Sequence, residues 1–510
     1  MDLQEKIASV LRSSKFFWII IVLFVCQGAF FALAANPSLQ SSAESSTYLD
    51  RSVGLVPDGN RHIAAIYHYA AQPIFNGPFI TDMTDAELMM GDLVRFPSYF
   101  YYYLLSFPAR AVIALGASDI AVIYLVRFIG LCFGVLALIV FRRIVKELGV
   151  GRVVPNLATL GLAMTGAFAY FAPAENYDML ALLLWFCFVL ASMKLFVRRD
   201  GTQLYWMVVA GMFLSITKYT YLPFAGVLAI VALLLYIRNS KGVSSAWQQI
   251  QSQFLKKWQA LSRWRLAMII GLLFVSAVLF VERIGVNVVQ YHSVSPNCAV
   301  IHDSASCMNF TVYNRNVTRL EAVEAGEAWT KDFKATEYTG EWLVRYYSTM
   351  FYYMGHIWVY DIWPMLWVSI GLVLTLLLSA LVYLLVRRRA VLRSQAEWYL
   401  LGLVGLLTIG QYGYNVMLFV KYSGQMYGHQ GRYLLPVIGF LYVIMLLVVM
   451  RAYYLLPTKT RKIVFPVLLV IGVLSLISNG ALLNFFIHAN SLDWYSELGR
   501  HIMPTSWYDR

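Results

Sequence analysis

Two short stretches hold residues able to do acid–base and anion chemistry. In VPDGNRH, residues 56–62, Asp58 and His62 stand four positions apart, which puts both on one face if the segment is helical from its start. A carboxylate beside an imidazole can take the proton of a hydroxyl as that oxygen attacks a carbon centre. A plainer role also fits, because Asp58 or Asn60 could cap the helix HIAAIYHYAAQ by accepting its free backbone N–H groups. In KYSGQMYGHQGRYLLP, residues 421–436, Lys421, His429 and Arg432 precede an apolar run that Tyr433 opens. A guanidinium there wants an anion, and phosphate suits its planar fork; a lipid headgroup is the modest alternative.

Two further segments belong with these. PAENYDM, residues 173–179, offers Glu175, Asn176, Tyr177 and Asp178 between two apolar runs, either as pocket lining or as a capped polar turn. Lys218, in ITKYTYLP, ends another run and reads as a phosphate ligand or as a lysine snorkelling to the interface. A divalent metal on Asp58, His62, Asp82 and Asp85 is a weak alternative, since their spacing is irregular. No cofactor is expected.

The elements that must position these residues are membrane helices. Of 510 residues 60% are hydrophobic and 13% charged, and apolar runs of about twenty residues, the length needed to cross a bilayer, recur from end to end. The chain is therefore read as an all-α polytopic membrane protein with about eleven transmembrane helices. The runs are 16–35, 119–141, 154–172, 178–197, 203–220, 222–237, 265–285, 362–386, 397–417, 433–455 and 463–488. The first is read as an uncleaved span, being long for a signal peptide.

The formal charge of +13 sits in short clusters between runs: Arg142, Arg143, Lys146 and Arg152; Arg198 and Arg199; 238–265; Arg387 to Arg389 and Arg393; Lys459, Arg461 and Lys462. Such clusters mark cytoplasmic loops rather than a nucleic-acid surface. Placing all of them inside gives a cytoplasmic N-terminus and an outer C-terminus. It also requires 98–116, with its aromatic start, Pro108 and Arg110, to lie in the interface as a helix of the first outer loop rather than to span.

Three regions follow: an N-terminal module, 1–285, with its outer loop at 36–118; a second outer loop, 286–361; and C-terminal helices with an outer tail, 362–510. Cys298 and Cys307 share an outer polar loop, where a disulfide is expected; Cys26, Cys132 and Cys187 fall within apolar runs. The inner loop 238–265 reads as a basic amphipathic helix with Trp247, Phe254 and Trp258 as lipid anchors. No phosphate-binding glycine loop or dinucleotide fingerprint occurs, which disfavours a cytoplasmic nucleotide donor.

These segments, in this order, resemble the GT-C superfamily of integral-membrane glycosyltransferases. Within it the chain is most similar to a bacterial multi-spanning family with a P-D-E-x-x-H motif after the first span and a G-R-Y-x-x-P motif late in the chain. The matches are Pro57, Asp58 and His62, then Gly431, Arg432, Tyr433 and Pro436, with FPSYFYYYLL at 96–105, NYD at 176–178 and KYTYLP at 218–223 as weaker ones. Gly59 departs from the pattern, standing where the motif has glutamate.

The resemblance implies a polyprenyl-phosphate sugar donor, a glycan, lipid or protein acceptor, and an active site on the outer side of the bacterial cytoplasmic membrane. In that reading Asp58 is the base and His62 orients it or contacts substrate. Arg432 and Lys218 bind the lipid phosphate, with Asp178, Tyr177, Tyr433 and His429 around them. A flippase for a lipid-linked glycan, for which Arg127 would be the midspan charge, and a non-catalytic envelope assembly protein are the competing readings.

Overall fold

The computed structural model describes residues 3–36, 59–74, 83–84, 88, 93–326, 333–351, 364–478, 480–488 and 494–502. Asp58, Asp82 and Asp85 lie outside the described residues.

Helices dominate because the apolar runs carry few breakers and, in a lipid environment, a helix satisfies its own backbone. Among the described residues nine helices are long and apolar enough to cross a membrane: Ser14–Ala34, Asp119–Glu147, Asp178–Val197, Tyr219–Asn239, Arg263–Tyr291, Trp367–Val386, Gln395–Lys421, Gly431–Leu455 and Thr458–Ser478. Two of the eleven expected runs give shorter helices. The run 154–172 breaks at Thr165, whose extended backbone separates Val153–Met164 from Gly166–Phe171; its hydroxyl donates to Gly161 O at 2.8 Å and pairs with Tyr442 Oη at 2.9 Å. The run 203–220 stops at Thr217, because Lys218 leaves the helix with φ −149° and ψ 88°. The aromatic segment 98–116 forms a 15-residue helix, Phe100–Ala114, packed against Gly59–Ala71, with Tyr102 against His62 and Tyr103 against Tyr69.

One helix is central. In Asp178–Val197, 72% of the most apolar window is buried, against 0% in Thr458–Ser478 at the rim. It packs on Asp119–Glu147, Gln203–Thr217 and Leu222–Asn239. The rim helices instead expose broad apolar faces, such as Phe274, Leu378 and Ile463, which only a hydrocarbon surrounding makes favourable.

The two ends of the bundle differ in charge. At one end Asn156 donates to Leu11 O and Ser13 O and accepts from Arg142, Arg198 pairs with Glu147, Asn239 reaches Phe196 O and Gln395, and Arg451 pairs with Glu397. The basic clusters therefore share that end. At the other end the C-terminal segment returns to the first span: Ser496 N donates to Ala34 O at 2.8 Å, and Ala35 and Tyr495 form an isolated bridge. A 21-residue helix, Ser14–Ala34, separates the two, roughly 30 Å of rise. The candidate site residues His62, Asp178, Lys218 and Arg432 gather toward this second end.

Close backbone approaches set the geometry there. A Cβ on Gly431 would lie 2.4 Å from Met350 N and 2.7 Å from Tyr346 O, so only glycine lets 429–433 rest on the helix Ala335–Phe351. Gly431 N donates to Thr349 Oγ1 at 2.6 Å. Gly431→Ala is expected to destabilise the protein by about 1–3 kcal/mol through a backbone clash that cannot relax, read as a lower melting temperature in detergent; an unchanged melt would argue against this contact.

Candidate functional site

The buried junction 172–178 is the scaffold. Glu175 and Arg127 are both fully buried and pair at 2.6 Å. Arg127 also donates to Ala32 O and Ala35 O at 2.8 Å each and to Asn36 O at 3.1 Å, so one guanidinium ties the end of the first span to the junction. Arg127 thus lies at the level of a helix end, not at midspan, and its charge serves as an internal clamp. Gly130, one turn on, permits this approach: a Cβ there would stand 2.6 Å from Ala172 O.

From the junction the chain enters the central helix through Asn176, whose Oδ1 accepts Asp178 N at 2.7 Å. Asp178, in the first helical turn, meets two cations. Lys218 Nζ lies 2.5 Å from its Oδ1, and Arg432 Nη1 lies 3.9 Å from its Oδ2. Lys218 is aimed inward because it sits at the break between two helices, where Tyr219 N donates to Ser98 Oγ at 3.0 Å. Aromatic rings enclose the ammonium: Tyr177 at 5.5 Å, Tyr221 at 5.1 Å and Tyr433 at 5.0 Å. Arg432 lies over Phe171 at 5.5 Å and Tyr433 at 5.4 Å. Such walls exclude water and strengthen every charge interaction inside them.

His62 borders this cluster. It occupies the first turn of Gly59–Ala71, with Nδ1 2.7 Å from Tyr102 Oη and Nε2 3.4 Å from Asn176 Nδ2. Its ring stacks on Tyr102 and meets Tyr177 edge-on at 5.1 Å. Both ring nitrogens are thus engaged by neighbours. Tyr101, on the same helix as Tyr102, has its titration pushed well up by burial and by the Glu175 charge, so its hydroxyl remains a donor.

His429 departs from expectation. It is not among the cations at Asp178 but is packed against Tyr338 and Tyr346, with Nε2 3.0 Å from Tyr338 Oη. Burial, and then the Arg345 charge, lower its pKa to about 4, so it is neutral near pH 7 and adds no charge for an anion. The unfolded imidazole takes up a proton near its ordinary 6.5, so unfolding binds a proton between about 6.5 and 4 and stability falls as pH falls through that window. His429→Gln is expected to flatten this part of the melting-temperature profile; an unaltered slope would place the acid sensitivity elsewhere.

The region after the helix Arg263–Tyr291 braces the same end. Cys298 and Cys307 form a disulfide, and Arg61, beside His62, stacks on Phe310 at 5.4 Å. Arg319 donates to Ser423 O at 2.9 Å, and Arg315 covers Tyr427 at 4.1 Å. A π-turn at Val281–Gly285 presents Glu282 to Arg95 at 2.9 Å, while Arg283 holds Phe96 O at 2.7 Å, which fixes the approach to Ser98.

Five segments singled out in the sequence thus converge: His62, then Tyr102 of FPSYFYYYLL, Asn176 to Asp178, Lys218, and Arg432 with Tyr433. Tyr102, Tyr221 and Phe171 were not chosen individually, since aromatics recur so often here that none stands out by type. Lys218, expected to meet phosphate directly, is held by Asp178. Among the described residues no three His, Cys, Asp or Glu side chains gather as a metal would need; of the four-residue metal set only His62 is described. No protein-family model matches the chain, and no curated protein matches it.

Proposed function

We propose that this chain is a GT-C-type membrane glycosyltransferase that moves a sugar from a polyprenyl-phosphate donor to a cell-envelope glycan, lipid or protein. The observation that carries the reading is the buried, aromatic-walled meeting of Lys218 and Arg432 at Asp178, with His62 at its border. Two converging cations in a water-poor setting suit the phosphate of a lipid carrier. The basic end of the bundle faces the cytoplasm by the positive-inside rule, which puts this cluster on the outer side of a bacterial cytoplasmic membrane. In that arrangement the helices Val153–Met164 with Gly166–Phe171, and Gln203–Thr217, complete eleven crossings between a cytoplasmic N-terminus and an outer C-terminus.

The chemistry is a single displacement. An acceptor hydroxyl attacks the anomeric carbon, the bond to the phosphate oxygen breaks with its electron pair, and the hydroxyl proton passes to a carboxylate. Lys218 and Arg432 stabilise the departing phosphate. Glu175 and Asp178 already hold Arg127 and Lys218 as ion pairs, so the proton-accepting role is assigned to a different carboxylate. Asp58, one residue before the helix that carries His62, is left as the base, and attack opposite the phosphate inverts the anomeric centre.

Binding tests the anion site directly. Polyprenyl phosphate is expected to bind the purified chain in nanodiscs, and Arg432→Ala to weaken it roughly 10- to 100-fold. Equal affinity in the variant would count against the reading.

A further inference from the structure

Asp178 carries a feature that the anion site alone does not use. Its Oδ1 takes the Lys218 ammonium, but its Oδ2 is buried and accepts no hydrogen bond. The Asp178 residue as a whole is 5% exposed, so water does not freely complete it. A buried acceptor without a donor costs free energy, and such groups in native proteins are matched by a partner present in the working state.

The position of this oxygen restricts that partner. Oδ2 lies 3.9 Å from Arg432 Nη1, the fork assigned to the phosphate. A ligand group that donates to Oδ2 while its phosphate engages Arg432 must sit within a bond or two of the phosphoester. An apolar prenyl chain has no donor there. A sugar attached through its anomeric oxygen has one, the hydroxyl on the adjacent ring carbon.

We infer that Asp178 Oδ2 accepts a hydrogen bond from the hydroxyl vicinal to the phosphoester, making Asp178 a specificity residue that selects hydroxylated phosphate esters over bare lipid phosphates. Asp178 thereby holds Lys218 with one oxygen and reads the donor sugar with the other. This rests on the phosphate-site reading above. A site built to pair a ligand hydroxyl discriminates strongly against an analogue lacking it, because the buried acceptor is then left unpaired.

The test compares three probes on the full chain in detergent by calorimetric titration: inorganic phosphate, n-propyl phosphate, and 1,2-propanediol 1-phosphate. The last two differ by one hydroxyl next to the phosphoester. Wild-type protein is expected to bind the diol ester about tenfold more tightly than the propyl ester, and Asp178→Ala to reduce that ratio to about one. Because the ratio is read first in wild type, a poorly folding variant does not blunt the test. Equal binding of the two esters by wild type overturns the role of Asp178 while leaving the phosphate site standing. Binding of none of the three probes overturns both. A tenfold ratio that persists in Asp178→Ala assigns the hydroxyl to another residue and overturns the inference.

Discussion

Asp58→Asn is expected to cut sugar transfer by roughly a hundred- to ten-thousand-fold, the range set by loss of a general base. Expression, melting temperature and binding of polyprenyl phosphate should stay near wild type, because asparagine keeps the size and capping ability of aspartate while giving up the proton-accepting charge. This separation distinguishes a base from a cap. A helix cap replaced by a comparable cap changes little, whereas a base replaced by an amide cannot take the hydroxyl proton. Steady-state transfer with matched donor binding decides the matter; an active Asp58→Asn enzyme would remove Asp58 from the chemistry. Gly59, where the resembled motif has a second acid, makes the expectation sharper, since no neighbouring carboxylate at that position can substitute.

Arg127→Ala should have the largest effect on stability. The variant strands Glu175, fully buried, without its ion pair, and removes the donors to Ala32 O, Ala35 O and Asn36 O. Breaking one side of a buried pair costs about 3–5 kcal/mol, most of it the uncompensated remaining charge. Arg127→Met combined with Glu175→Gln should recover part of that loss, because neither charge is then buried alone, yet the three carbonyls still lack a partner. Melting temperatures of the single and double variants supply the comparison. A double variant no better than the single one would mean that the bonds to the first span, rather than the stranded charge, dominate.

Much of this was legible in the sequence, and for stated physical reasons. Apolar length located the helices, since the hydrocarbon core imposes it, and the basic clusters do fall at one end of the bundle. What could not be read was local geometry. Thr165 and Lys218 each end a helix inside an apolar run; Gly166 follows the first break without signalling which residue leaves the helix, and no glycine or proline adjoins Lys218. Arg127 looked like a midspan charge because its sequence neighbours are apolar; its partner Glu175 is 48 positions away and becomes visible only on folding. Lys218 and Asp178 were each picked out, but their pairing depends on two helices meeting. His429 was grouped with Arg432 by proximity in sequence, yet the turn between them directs it into an aromatic cluster with Tyr338 and Tyr346.

The glycosyl bond of the donor offers the most direct measurement. Purified protein in proteoliposomes is given polyprenyl-phosphate sugar labelled in both the sugar and the lipid, with membrane extract as the source of acceptor. Transfer predicts that free polyprenyl phosphate appears in step with labelled product, and that Asp58→Asn and Arg432→Ala each suppress both. Donor that crosses the bilayer with its two labels still joined would contradict transfer and point to transport instead.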